Sequence, residues 1–346
     1  GQLCSGEEEC KAFCLDNKGR CESYCKGNEN ELCEIIFPQE GSVNEEKAGD
    51  PEVVFTHLIF DPQLVSHITP LGELNGGYDE AQTIAGVMIN LKPDAIAGGK
   101  EIEVRAPIDM VLEKYAYYKF GEEPSNWVLI FSISRNIALK IDHITRVPQA
   151  VIDATTSVPK QTSAEEYLKT PLLIKAGDII AYTSGTSESH NWNIYLTDTR
   201  QVNPFIRADR YAVDGAGERM LTARCPFDFY PDEEKEKFLA LMGYNRAGQS
   251  TNCGSVSKDV ESTLSGMWHF SSDVKTGTIA KIDGVYSSPL SVFKNSAGEI
   301  IIHQLNNRRF DISPHDKTNK DPAMITNEHC YQSSPTNPTA PDGYVY

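Results

Sequence analysis

The sequence lacks any apolar run long enough to cross a bilayer. Its longest, Trp127 to Ile133, has the length of a strand, against the roughly 18–20 residues that a spanning helix needs. Positive charge is also short: 32 Lys and Arg stand against 49 Asp and Glu, a formal net charge of −17. A chain this acidic repels phosphate backbones and anionic lipid, so nucleic acid is excluded as an expected partner. The nucleophile elbow G-x-S-x-G, the P-loop and the dinucleotide fingerprint G-x-G-x-x-G are all missing. No histidine precedes His57, and His303, His315 and His329 are scattered without the spacing of a zinc site. The expectation for the start is a processed Gly1-Gln2 with no signal peptide ahead of it.

Cysteine, by contrast, is present and unevenly placed. Six of the nine fall at Cys4, Cys10, Cys14, Cys21, Cys25 and Cys33, and the others are Cys225, Cys253 and Cys330. Only Leu3, Phe13, Leu15, Tyr24 and Leu32 accompany the six as larger apolar residues, too few for a core. Such a segment holds its shape through cross-links, which predicts disulfides and an oxidising compartment. The rival, a metal site, is disfavoured by C-x3-C spacing and the absence of histidine. Cys10-x3-Cys14 and Cys21-x3-Cys25 fit a helical hairpin, with Cys10–Cys25 and Cys14–Cys21 the preferred pairing among those that six cysteines allow. Cys225 and Cys253 bracket a helix and form the expected fourth bridge. Cys330 is left over, either free or paired between chains. The expectation is a secreted or cell-surface protein.

Texture along the chain predicts five segments. Residues 1–37 form the six-cysteine module and 38–52 a polar, acidic linker. Residues 53–213 form a β-rich domain, with strands at Val53 to Phe60, Ala85 to Leu91, Glu101 to Arg105, Met110 to Tyr118, Trp127 to Ser134 and Ile137 to Ile141. Leu172 to Ile174, Asp178 to Thr183 and Trp192 to Thr197 complete the set. Ala164 to Leu168 reads as a turn or two of helix. Residues 214–332 carry an amphipathic helix, Pro231 to Met242, followed by a β-meander, with Trp268 expected in its core. Residues 333–346 are a Pro-rich tail. The fold class is mainly β: a sandwich or barrel-like domain, a small α+β C-terminal module and a disulfide-rich N-terminal hairpin.

Within 101–198 four segments occur in a telling order. They are Val104-Arg105-Ala106-Pro107-Ile108-Asp109-Met110-Val111, then Ile141-Asp142-His143-Ile144, then Leu173 to Ala181, and finally Asn191-Trp192-Asn193-Ile194-Tyr195. Together they resemble the "V-x-A-P-x-D-G-x-V", "Y-x-H-L", "V-x-x-G-x-x-I-G" and "H-x-H-F-E" elements of lysostaphin-type zinc endopeptidases. That family cleaves cell-wall peptide cross-bridges. The resemblance implies zinc held by a His and an Asp of "H-x-G-x-D" and by the second His of "H-x-H". It also implies that the remaining two histidines handle protons and the oxyanion.

The ligands themselves are missing. One register of the first ligand segment is Asn75-Gly76-Gly77-Tyr78-Asp79, with Asn75 in place of His; another, Ile84-Ala85-Gly86-Val87-Met88, keeps only the glycine. The terminal pair is Asn191 and Asn193, and His190 lies one residue early, where a strand slip turns it to the opposite face. Carboxamide oxygen is a poor zinc ligand beside imidazole. No cofactor is therefore expected: zinc is disfavoured, and Asp79 beside Glu73 and Glu80 offers only a weak calcium position. No catalytic residue is assigned; His143 and His190 are the weak candidates, and Asn75, Asp79, His143, Asn191 and Asn193 are the candidate groove. Further on, Cys225-Pro226-Phe227-Asp228-Phe229-Tyr230, Cys253-Gly254, Asp259 and Gly266-Met267-Trp268-His269-Phe270 resemble a module of exported bacterial proteins that carry the same peptidase-like domain.

The reading that follows is a degenerate peptidase-like domain used for binding or structure outside the cell, with cell-wall glycan or peptide as partner. The alternatives are self-assembly, as a subunit of an extracellular filament or surface layer, and an active cell-wall endopeptidase with a non-standard site.

Overall fold

The computed structural model describes residues 52–73, 83–118, 126–155, 162–187, 189–211, 216–268, 280–282, 285–287, 290–304, 308–312, 321–325, 331–332 and 344–345. The six-cysteine module, the acidic linker, Asn75, Asp79, Cys330 and most of the tail lie outside the described residues. The protein is mainly β. The first nine strands among the described residues are β1 (Val65–Thr69), β2 (Val87–Leu91), β3 (Ile102–Arg105), β4 (Met110–Tyr118), β5 (Asn126–Ser132), β6 (Ile137–Ile144), β7 (Thr162–Ile174), β8 (Ile179–Thr183) and β9 (Asn191–Asp198). Seven of them build one antiparallel sheet in the order β1-β2-β9-β6-β5-β4-β7, and β10 (Ala223–Arg224) adds to the far end of β9. The other two, β3 and β8, pair as a separate ribbon.

Alternation decides which side of this sheet is dry. Side chains of a strand point to opposite faces in turn, and directly paired residues share a face. Ile89 pairs with Trp192, Ile194 with Ile141, Leu139 with Phe131, and Phe131 with Leu112. All of these are buried. Burying each such side chain contributes roughly 1.5–3 kcal/mol, so a one-residue slip in any central strand would forfeit several of them at once.

Among the described residues four short helices accompany the sheet: α1 (Pro93–Ile96), α2 (Gln149–Ala154), α3 (Ala216–Thr222) and α4 (Asp232–Leu239). The dry face is closed by distant parts of the chain. Phe60 meets Trp192 edge-on at 5.6 Å and Phe238 at 5.2 Å, and Phe227 stacks on Phe238 at 4.3 Å. The Tyr230 hydroxyl accepts from the Ile59 N–H at 2.9 Å and donates to the His57 carbonyl at 3.0 Å. A single core thus runs from Phe55 to Val256, across residue 214. The Cys225–Cys253 bridge is formed.

Several elements differ from the sequence reading. Val53 to Phe60 joins no ladder: Phe55, Ile59 and Phe60 plug the core, while the backbone bonds to Phe229 and Pro107. Ala164 to Leu168 is strand, not helix, because β7 pairs along β4, with Tyr167 opposite Lys114 and Glu166 opposite Tyr115. Helix α4 stops at Leu239, short of Met242. Beyond it, the Leu241 carbonyl accepts from Ile68 N–H at 2.8 Å and Gly243 N–H donates to the Ile68 carbonyl at 2.9 Å, so β1 captures that segment.

The C-terminal strands are β11 (Gly266–Trp268), β12 (Ala280–Ile282), β13 (Val285–Ser287), β14 (Leu290–Lys294), β15 (Ile300–Gln304) and β16 (Arg308–Ile312). Four form a sheet in the order β11-β14-β15-β16, with Val292, Ile300 and Ile302 packed on Ile325. β17 (Tyr331–Gln332) pairs with β18 (Tyr344–Val345) of the tail. Trp268 is not core: it is 47% exposed, since the short β11 pairs only with β14 at the margin of its sheet. Among the described residues no helix is long and apolar enough to cross a membrane.

Candidate functional site

The face opposite the core gathers the residues that the family resemblance singled out. On β9, Asn191 and Asn193 point the same way, with Trp192 between them turned into the core. Asn193 lies opposite Met88 of β2 and opposite Asp142 of β6, while Asn191 lies opposite Asn90. The Asn191 Nδ2 amide donates to the Met88 sulfur at 3.0 Å. Gly86 makes room here: a Cβ at that position would stand 2.6 Å from the Ile194 carbonyl oxygen and from the Tyr195 ring. The Gly86–Met88 register thus leads into the strand that pairs with β9. The other, Asn75 and Asp79, falls outside the described residues.

Asp142 is the polar hub beside Asn193. Its Oδ1 accepts from the Tyr118 hydroxyl at 3.1 Å and from the His143 backbone N–H at 2.7 Å. Burial first, and then the Asp142 carboxylate, push the Tyr118 hydroxyl well up, so it remains a donor. His143 ends the regular run of β6 with φ of 61°, a left-handed conformation uncommon for a residue with a Cβ. The Thr183 hydroxyl holds that turn by donating to the His143 carbonyl at 2.7 Å. His190 sits apart: exposed, with φ of 52°, its N–H donating to Thr186 in the loop that leads into β9.

Two atoms of this face are conspicuous. Asn193 Oδ1 and His143 Nδ1 are both buried with no hydrogen-bond partner among the described residues. Buried polar atoms are nearly always paired, so an orphan calls for an explanation such as a water, an ion or a functional role. A zinc ion does not fit the donors present. Tetrahedral zinc in a catalytic site needs three imidazole, thiolate or carboxylate ligands; in the described register the positions that the resemblance would assign to them hold Ile84, Met88 and Asn193, an alkyl group, a thioether and a carboxamide. No group of three His, Cys, Asp or Glu side chains able to hold a metal occurs among the described residues.

Of the calcium position only Glu73 belongs to the described residues. Glu73 is 1% exposed, and its Oε1 accepts from Ser296 N–H at 2.8 Å. Burial pushes its carboxyl up while the nearby Lys258 ammonium pulls it down, and burial lowers Lys258 in turn. Of the missed residues of the site, Met88 and Asp142 carry one signal in the sequence, alternation along Val87–Leu91 and Ile137–Ile144, and Tyr118 at the end of β4 carries none. That signal assigns them to a face only once the neighbouring strands are known.

The other resembling segments also meet. The Asp109 carboxylate accepts from Lys175 Nζ at 2.9 Å and from Ala176 N–H at 2.8 Å, tying the Val104–Val111 turn to the turn before β8. No family model matches the chain, and no curated protein matches it. Among solved structures, the NMR solution structure of lysostaphin aligns with 72% of this chain and 85% of that chain, at 12% identity and a TM-score of 0.24. A likeness of that degree carries no argument about fold or chemistry.

Proposed function

We propose that this is an extracellular binding protein whose β2–β9–β6 face holds a cell-wall peptide or glycan segment through hydrogen bonds and does not cut it. The observation that supports the reading is that Asn193 Oδ1 and His143 Nδ1, on the neighbouring strands β9 and β6, are buried with no hydrogen-bond partner among the described residues. Carboxamide, imidazole, carboxylate and phenol groups together supply the donors and acceptors that amides and hydroxyls require. The Cys225–Cys253 bridge and the cysteine-dense first 33 residues support an oxidising setting.

Co-sedimentation with purified insoluble peptidoglycan tests this. The full chain is expected to bind without releasing peptide ends, and Asn193→Leu, which keeps the volume but removes the acceptor, is expected to weaken binding about tenfold. Failure of the full chain to sediment would remove the reading. Stoichiometric zinc with release of peptide ends would replace it with an active endopeptidase.

A further inference from the structure

We propose that the groove beside Trp268 is a second binding site, separate from the β2–β9–β6 face, and that it takes a basic side chain of a peptide, lysine or arginine. The groove encloses about 540 Å³ between the segment around Ile206 and Arg207, the loop that follows Asp259, and β11. Its walls are largely apolar, and two of them, Ile206 and Val260, are themselves exposed. Trp268 forms the platform. Of the three tryptophans, Trp127 and Trp192 are buried and Trp268 alone is open to solvent. Its indole N–H is spent on the Leu264 carbonyl at 2.9 Å, so the ring is oriented by the fold and offers a π face.

Charge then selects the occupant. The guanidinium of Arg207 is occupied by Asp209, with bonds of 2.8 and 2.7 Å. Among the described residues the Asp259 carboxylate, in contrast, accepts only from backbone N–H groups, Ile206 at 3.0 Å and Met267 at 3.3 Å. No basic side chain pairs with it among the described residues. Gly266 keeps the space for that carboxylate: at φ of 142°, a Cβ there would lie 2.7 Å from Asp259 Oδ1. The groove thus presents an aromatic face, apolar walls and one unneutralised anion. A cation on an aliphatic stem complements all three. The charge meets the carboxylate and the indole, and the methylenes lie along Ile206 and Val260. An acidic partner would be repelled, and a wholly apolar one would strip water from a carboxylate without replacing its partner. The formal charge of −17 favours encounter with a basic segment in the same direction.

The exposed indole makes the site directly readable. Tryptophan emission of the full chain is followed during titration with acetyl-Leu-Lys-Leu-amide and with its Gln and Glu analogues. The lysine peptide is expected to give a saturable change that weakens with added salt. The Gln peptide should bind about tenfold more weakly, and the Glu peptide should give no change. Asp259→Asn is expected to bring the lysine peptide to the level of the Gln peptide. Should that variant fail to fold, the charge series on the unaltered chain decides alone. Equal response to Lys and Gln peptides, or no response to any of the three, overturns the proposal. So does a saturable response to a neutral chito-oligosaccharide without one to the lysine peptide. An emission change that follows protein concentration alone would assign the groove to a second copy of the chain and overturn it equally.

Discussion

Glu73 places a carboxylate between the main core and the β14–β15 turn, where Ser296 answers one oxygen and the other has no partner among the described residues. Because burial raises its folded-state pKa above the ordinary 4.5, the folded protein holds that proton to a higher pH than the unfolded chain does. Stability from this group is therefore complete below the ordinary carboxyl range and falls as pH rises through it toward the folded value. Glu73→Gln keeps an acceptor for Ser296 and removes the titration. Melting temperatures taken across that range are expected to show the unaltered protein losing ground to the variant as pH rises; parallel curves would refute this. At the same scale, that Asn191 and Asn193 share one face was legible from strand alternation alone. Met88, Asp142 and Tyr118 were not, because a residue's neighbour across a sheet depends on which strands pair and in what register.

At the scale of elements, α4 shows what local signals can and cannot decide. Pro231 ahead of it and Asp232, Glu233 and Glu234 in its first turn made its start legible. Its end was not legible, because β1 competes for the same backbone groups through Ile68. Phe238 is the residue that fastens this helix, fully buried between Phe227, Phe60 and Tyr230. Phe238→Ala is expected to cost about 3–5 kcal/mol, read as a lowered denaturant midpoint at unchanged slope. Strand β7 is the converse case. Ala164 to Leu168 has a helix-compatible composition, and only pairing with β4 makes it extended, so tertiary contact overrides local preference.

For the whole molecule, the mainly β character was legible from apolar alternation over 85–197, and the Cys225–Cys253 bridge from its place around a helix. The closure of the core was not: nothing local in Val53 to Phe60 shows that its aromatic residues wait for partners far along the chain. Cutting the chain after Cys225 would remove Phe227, Tyr230 and Phe238 together. The remaining piece is expected to lose cooperative thermal unfolding, followed by near-ultraviolet circular dichroism, while the same measurement on the full chain shows one sharp transition.

The hydroxyl of Tyr230 joins Ile59 across 171 residues of sequence. During synthesis, Phe55 and Phe60 emerge long before the residues that cover them exist. The main sheet can pair early, but its dry face stays open until the segment around Phe238 has been made. Such long-range closure slows folding, and the interval before it is when the nascent chain is most open to aggregation.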